Sequence, residues 1–439
     1  PVGGLPKVVI DGETGYLVDV GDDAAMALRM ITLAQDPKLR ARLGSAIHDK
    51  VRTEFSVEAM GKRQEEIYHT FLNRRRRAEQ GRDGAIICGA YGKGNAGDDA
   101  ILLSMIRQLR QQDPDLPITV MTRKPRETAV QTGVSTVHIF NIPAAGRIMK
   151  KSKLYISGGG SLIQNVTSSR SLSYYLYSIR QAKRAGCRVM MYGCGIGPVN
   201  GDRDRERSCR ILEQNVDLIA LRDPESLQTL RSFGMKGPEV CVTADPALLM
   251  EGDDAAARRY LTRSGLDPDG RYSLFVLRPW DGTQDRLAAI CAAADYGWEK
   301  YGLKPLLYTL EPGRDDEITR TAGAMIHFPC RVLPPITDGA ALCGLMGRME
   351  LVVSMRLHAL IFACARQTRI AAVSYDPKVS GFMSYLGSDA CVELEQVTRE
   401  GMQALLDRAM SGEGLHQQVS HLKALAQENG ILAGKLLRM

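Results

Sequence analysis

Short apolar runs recur along the chain from residue 84 onward, each ending in glycine or charged residues and followed by a helical repeat. GAIICGAY (84–91) is rich in β-branched and small residues, and GKGNAGDDAILLSMIRQLRQQ follows it as a glycine turn opening a helix. The same succession of strand, turn and helix returns in KLYISGGGSLIQ, RVMMYGCGIGPV, VDLIALRDPESLQTL and VCVTADPALLM. Apolar runs of strand length alternating with amphipathic helices predict parallel strands covered on both faces. Residues 84–250 therefore read as one doubly wound sheet whose polar tips share one edge. RYSLFVLRPW, LKPLLYTLEPGRDDE, ELVVSMRLHALIFACA and TRIAAVSYDPKVSGF repeat the pattern over residues 251–439. The expectation is an α/β protein of two such domains facing each other across a cleft.

Upstream of residue 84 the pattern differs. A β-type segment around Val8–Val20 precedes helical periodicity over about 22–32, 38–55 and 57–72. This stretch resembles the C-terminal tail of a GT-B-fold glycosyltransferase: GGLPKVV, GETGYLV, a DPKLRARLG helix and an FS…Y terminal helix occur in that family's order, with Lys7 where glutamate is usual. Residues 1–73 are read as a C-terminal fragment of such an enzyme, and residues 74–83 as a basic linker. The start at Pro1 suggests a piece of a longer chain. Two Rossmann-type halves across a cleft are themselves the GT-B architecture, so the main body is expected to be GT-B-like.

With 44% apolar and 24% charged residues the chain reads as globular. Its ten cysteines form no CxxC pair or metal-type cluster, which points to a reducing, cytoplasmic setting without a structural metal. No apolar run approaches the roughly 18–20 residues of a membrane span. The net charge of +7 owes much to Arg74–Arg77. No aromatic residues are interleaved with that run, so nucleic acid is not the expected partner; peripheral contact with an anionic membrane face is compatible with it.

Candidate chemistry lies at the strand ends. Gly92, Gly94 and Gly97 satisfy the dinucleotide pattern GxGxxG. The next strand, however, ends in Arg123 and Lys124 rather than an acid, and Asp98 and Asp99 would repel a pyrophosphate at the helix start. Asp98 reads either as a helix cap or, with Asn95, as a polar group presented to a ligand at the strand's carboxyl end. Gly158, Gly159 and Gly160 are suited to an anion-binding nest or to tight packing, and Ser161, Gln164 and Arg170 follow as donors. Arg222, Arg278 and Lys378 each end a strand. In SMRLH, Arg356 and His358 interrupt an apolar segment: a planar fork for carboxylate or phosphate beside a side chain that trades protons near neutrality.

The ordered set GAYGKGNAGDDAIL, SGGGSLIQNVTSSRSLSYYL, GCGIGPV, ALRDPESLQTL, TADPALL, SMRLHALIFA and SYDPKVSGF resembles bacterial polysaccharide pyruvyl transferases, particularly the CsaB type. Lys93 and Gly94 depart from the residues that commonly precede the asparagine. The resemblance implies phosphoenolpyruvate as co-substrate, no further cofactor, and a pyruvyl ketal placed on a hexosamine, typically N-acetylmannosamine, of a lipid-linked oligosaccharide at the cytoplasmic membrane face. It makes His358 and Arg356 the catalytic pair. Arg222, Lys378, Gly158, Gly159, Gly160, Ser161, Arg170 and Arg278 would then bind the donor, and Asn95, Asp98 and Gln164 the acceptor. Two other readings stay open on the residues alone: a nucleotide-sugar-dependent GT-B glycosyltransferase, and a non-catalytic sugar-binding module in which Arg356 and His358 pair internally.

Overall fold

The structure, a computed structural model, describes residues 4–79, 81–166, 168–412 and 415–439. The chain divides into two compact units, Pro1–Glu79 and Gln80–Met439.

The smaller unit is helical, with helices Asp23–Gln35, Pro37–Glu54 and Val57–Glu79. The first two are capped by Asp22 and Asp36, whose carboxylates accept from the N–H groups of Ala25 and Leu39. The expected β-type segment forms no strand. Ile10 N–H donates to Thr14 Oγ1 at 2.7 Å and Gly12 N–H to the Gly15 carbonyl at 2.7 Å, closing a turn. A lone extended run has no neighbouring strand to take its backbone groups, so a turn satisfies them instead. Arg74–Arg77 lie in the last turns of the Val57–Glu79 helix rather than in a connecting loop. Leu43 is the one large apolar side chain buried in this unit among the described residues, while Met30, Ile67 and Phe71 are exposed.

The larger unit holds two parallel sheets. The first comprises β1 (Ala85–Cys88), β2 (Ile118–Thr122), β3 (Ser135–His138), β4 (Leu154–Gly158), β5 (Arg188–Cys194), β6 (Leu218–Leu221) and β7 (Glu239–Val242), in the order β3-β2-β1-β4-β5-β6-β7. The second comprises β8 (Tyr272–Val276), β9 (Lys304–Tyr308), β10 (Arg331–Leu333), β11 (Leu351–Ser354), β12 (Arg369–Ser374) and β13 (Cys391–Glu393), in the order β10-β9-β8-β11-β12-β13. Both are doubly wound, and their strand order reverses between β1 and β4 and between β8 and β11. Such reversals open a crevice at the carboxyl ends of the strands, where ligands of open α/β sheets bind. The inner strands are buried throughout, which is why their sequences run apolar without alternation.

The last helix, His416–Arg438, crosses back to the first sheet. Asn429 donates to the Ala244 carbonyl at 3.1 Å and accepts from Thr243 Oγ1 at 2.9 Å, while Gln108 Nε2 reaches the Ala426 carbonyl at 3.4 Å. The first domain is therefore completed by residues far beyond 250. Buried polar groups need such partners, so Asn429 fixes how this helix seats on the first domain.

Candidate active site

Around the second switch point the loop after β11 carries the SMRLH residues. Ser354 Oγ accepts from Arg356 N–H at 2.8 Å and donates to the Arg356 carbonyl at 2.9 Å, which sets Arg356 as the extended residue before the Leu357–Ala365 helix. Its buried guanidinium is engaged by the loop after β9. Nε donates to Asp315 Oδ2 at 3.0 Å, Nη2 donates to Asp315 Oδ1, and Nη1 lies 2.8 Å from Glu311 Oε2. Asp315 is fully buried, and its carboxyl is pushed above the usual range by that burial, against the pull of Arg356. The expected free fork is thus already filled, because an arginine buried this deeply requires a counter-charge.

Arg278, just after β8, has no carboxylate partner among the described residues. Its guanidinium carbon lies 5.2 Å from the Trp280 ring centroid and 4.9 Å from that of Tyr375, and Nη1 donates to Tyr375 Oη at 2.5 Å. Its Nε is buried without a hydrogen-bond partner. Burial, with the like charges of Arg356 and Arg314, draws its pKa below the ordinary guanidinium value, against the opposing influence of Tyr375. A half-buried cation stacked on aromatic rings and lacking an anion is a ready anion site.

His358 reaches from the second domain to the first. A Cβ on Gly97 would lie 2.0 Å from His358 Nδ1, so the imidazole rests against the bare backbone where the Ala96–Gln112 helix begins. Its Nε2 is buried and unpartnered. Burial lowers its pKa to about 4; Asp245 opposes that shift, and Arg222, Lys378 and Arg356 add to it. The ring is therefore neutral at physiological pH and free to accept a proton.

The first domain supplies the other rim. Arg222, at the end of β6, donates to Asp245 at 3.0 Å, to Asp223 at 3.3 Å and to Ser161 Oγ at 3.3 Å. Arg222, Asp245, Leu357, Lys378 and Phe382 line a narrow cavity shared by both domains. Lys378 Nζ is 3.1 Å from Asp376 Oδ2 and 5.7 Å from the Tyr375 ring centroid. In the turn after β4, Gly159 and Gly160 adopt φ of 72° and 70°, and Asp98 Oδ1 would lie 3.1 Å from a Cβ on Gly160. Asp98 does not cap its helix: Asn95 does, accepting from Gly97 N–H at 3.1 Å. The Asp98 carboxyl is instead pushed up to about 7, first by burial and then by Asp99, with Lys93 and Arg222 opposing.

The structure thus gathers Arg222, Ser161, His358, Arg356 and Lys378 with the glycine turn, and Arg278 stands beside Arg356. Gln164 packs against Gly197, and Arg170 is exposed on the first turn of the Ser169–Arg184 helix, apart from these contacts. Sequence reading missed the counter-charges Asp315 and Glu311, which lie far from Arg356 in the chain, and the Trp280–Tyr375 stack. Trp280, two residues after Arg278 in LRPW, was the available signal. Among the described residues, no His, Cys, Asp and Glu group is arranged to hold a metal, and no helix is long and apolar enough to cross a membrane.

Solved structures share this fold at low identity. S. aureus MnaA, solved with UDP, aligns over 79% of this chain and 94% of its own with TM-score 0.55 and 11% identity. Anabaena HepE in complex with UDP-glucose aligns over 81% and 98% with TM-score 0.52 and 10% identity. These likenesses show a GT-B-like fold of two Rossmann-type domains. Among curated proteins, N-acetyl-alpha-D-glucosaminyl L-malate synthase of Bacillus anthracis is 37% identical over 71 residues, 16% of this chain and 19% of its own. Capsular polysaccharide biosynthesis glycosyltransferase CapM of Staphylococcus aureus is 35% identical over 71 residues, with the same shares. The chain spans about a fifth of the length of these relatives. A family model described as polysaccharide pyruvyl transferase matches residues 95–377, a span that holds Asn95, Asp98, Arg222, Arg278, Arg356 and His358 and stops one residue short of Lys378. This chain belongs to the polysaccharide pyruvyl transferase family.

Proposed function

We propose that the protein transfers the pyruvyl group of phosphoenolpyruvate onto two hydroxyls of a sugar, N-acetylmannosamine by resemblance to the CsaB type, in a cell-wall polysaccharide precursor. The product is a ketal, and phosphate is released. The observation that carries this reading is Arg278, a half-buried cation without an anion, at the rim where Arg356 and His358 converge with Lys378 and Arg222. Phosphoenolpyruvate brings a carboxylate and a phosphate, and two anionic groups call for cations from more than one strand end. Arg278 would receive one anionic group, Lys378 and Arg222 the other, and neutral His358 would accept a proton from an attacking hydroxyl. Arg356 acts as a positioning residue, holding the second rim through Asp315 and Glu311. Asn95 would face the acceptor, whereas Gln164, packed against Gly197, is left out of this reading. We place the reaction in the cytoplasm, at the inner membrane face where a lipid-linked acceptor resides.

The test is acceptor-dependent phosphate release from phosphoenolpyruvate, comparing the unmodified protein with His358→Ala and Arg278→Ala. The expected result is turnover by the unmodified protein, lost about 10²-fold or more in His358→Ala, with donor binding weakened in Arg278→Ala. Calorimetric binding of UDP-sugars but not of phosphoenolpyruvate would overturn the proposal in favour of a nucleotide-sugar transferase. Binding of neither, with sugar still bound, would leave a non-catalytic module.

A further inference from the structure

Ketal formation needs a proton on C3 of the enol as well as a base for the hydroxyls, and His358, neutral in the free protein, supplies only the base. A second group must carry the other proton. The search for it narrows to carboxyls at the rim, and most of these are committed: Asp245 and Asp223 to Arg222, Asp315 and Glu311 to Arg356, and Asp376 to Lys378. Asp98 differs. It lies in the first turn of its helix, but Asn95 already serves as cap, so the local backbone does not use it. No side chain among the described residues hydrogen-bonds to it, and its carboxyl faces the bare backbone of Gly160. It follows directly on Gly97, against which the His358 ring rests.

We infer that Asp98 is the general acid of the reaction, protonating C3 of phosphoenolpyruvate across the cleft from His358. This rests on the proposed pyruvyl transfer. The proton leaves the Asp98 carboxyl for C3, making the methyl group, and positive character develops at C2. One sugar hydroxyl adds to C2 and gives its proton to His358. The bond from C2 to the phosphate oxygen breaks, the second hydroxyl adds to C2, and its proton returns to the Asp98 carboxylate. The proton on His358 leaves with phosphate. One hydroxyl proton is thus accounted for in the methyl group and the other in the phosphate, and both side chains are restored.

The surroundings agree with that role. Asp99 and Lys93 flank Asp98 on its own segment; Arg222 and Asp245 face it from the ends of β6 and β7; Tyr91 and Tyr175 stand within electrostatic reach; and His358 meets the helix start from the second domain. A carboxyl held near pH 7 keeps its proton in a useful fraction of molecules, which is what an acid working near neutrality requires.

The experiment compares Asp98→Asn and Asp98→Glu with the unmodified full chain, measuring phosphoenolpyruvate binding by calorimetry and the pH dependence of kcat/KM. Asp98→Asn is expected to bind the donor within about threefold of the unmodified protein and to lose kcat by about 10²-fold or more. The unmodified protein should lose activity as pH rises through about 7, and the residual activity of Asp98→Asn should lack that fall. Asp98→Glu should recover part of kcat together with that alkaline limb. Unchanged kcat in Asp98→Asn, an alkaline limb retained in its residual activity, or loss of donor binding in step with activity would each overturn the assignment. If the unmodified protein itself releases no phosphate with acceptor, it is the pyruvyl-transfer reading that fails.

Discussion

On the first rim Arg222 is locked by Asp245 and Asp223; on the second, Arg356 is locked by Asp315 and Glu311, and there the likeness between the two rims stops. What remains after those pairs are made is a spare carboxyl, Asp98, on one side and a spare guanidinium, Arg278, with a neutral imidazole, His358, on the other. The pair on Arg356 builds the second rim. Arg222 and Lys378 keep their carboxylates while offering charge to the donor in the proposed reaction. The unpaired groups are left for the proton transfers and for the other anionic group. A buried cation is therefore weak evidence of a ligand until its counter-charge has been sought, and the same residue type serves architecture or binding according to that one neighbour.

The largest effect should come from closing the gap across which the rims meet. Gly97→Ala places a methyl group where the His358 ring now lies, so the ring must move. Acceptor-dependent phosphate release should fall by about 10²-fold, since a displacement of about 1 Å is costly at a reacting centre. Turnover equal to that of the unmodified protein would show that the rims do not work through this contact. The next effect separates the two arginines of the second rim. Arg356→Ala strands buried Asp315 and should cost about 3–5 kcal/mol of stability, read from the denaturant midpoint. Arg278→Ala should stay within about 1 kcal/mol, because it breaks no ion pair. Equal losses would erase the distinction drawn here.

Smaller again is the pH effect. Asp98 titrates near 7 in the folded protein and near 3.8 when unperturbed. Its raised folded value contributes stability below the unfolded pKa, and that contribution is lost as pH rises through about 7. Asp98→Asn should therefore melt a few degrees higher than the unmodified protein at pH 8, and the gap should close toward pH 4. His358 has the opposite sign: its folded pKa near 4 lies below 6.5, so the stability it confers is lost as pH falls between them. His358→Gln should flatten the acid side of the melting profile. Last comes the helix cap beneath Asp98, where Asn95→Ala should cost about 1 kcal/mol while leaving the alkaline limb of the rate profile in place.

Much of this was legible in the chain. Inner strands such as LYISG and LVVS are buried on both faces, so continuous apolar runs announced them. β3, β10 and β13 escaped because they are short and partly exposed, so no apolar run marks them. The glycine turns and the SMRLH residues stood out because polar or flexible residues at buried strand ends need a reason. The pairing of Arg356 with Asp315 could not be read, since it joins loops after different strands, and adjacency in a sheet is not adjacency in sequence. The use of Asn95 rather than Asp98 as cap could not be read either. Both residue types suit the position, and the choice rests on backbone geometry of the turn.

The return of the last helix to the first sheet has a mechanical consequence. The chain passes between the two domains twice, once near residue 250 and again before His416–Arg438, and Asn429 anchors the second passage to Thr243 and Ala244. Two bodies joined by one strand can swivel freely, whereas two bodies joined by two are confined to rocking about the line between the joints. The contact of His358 with Gly97 thus sits between two domains tethered at two points rather than one.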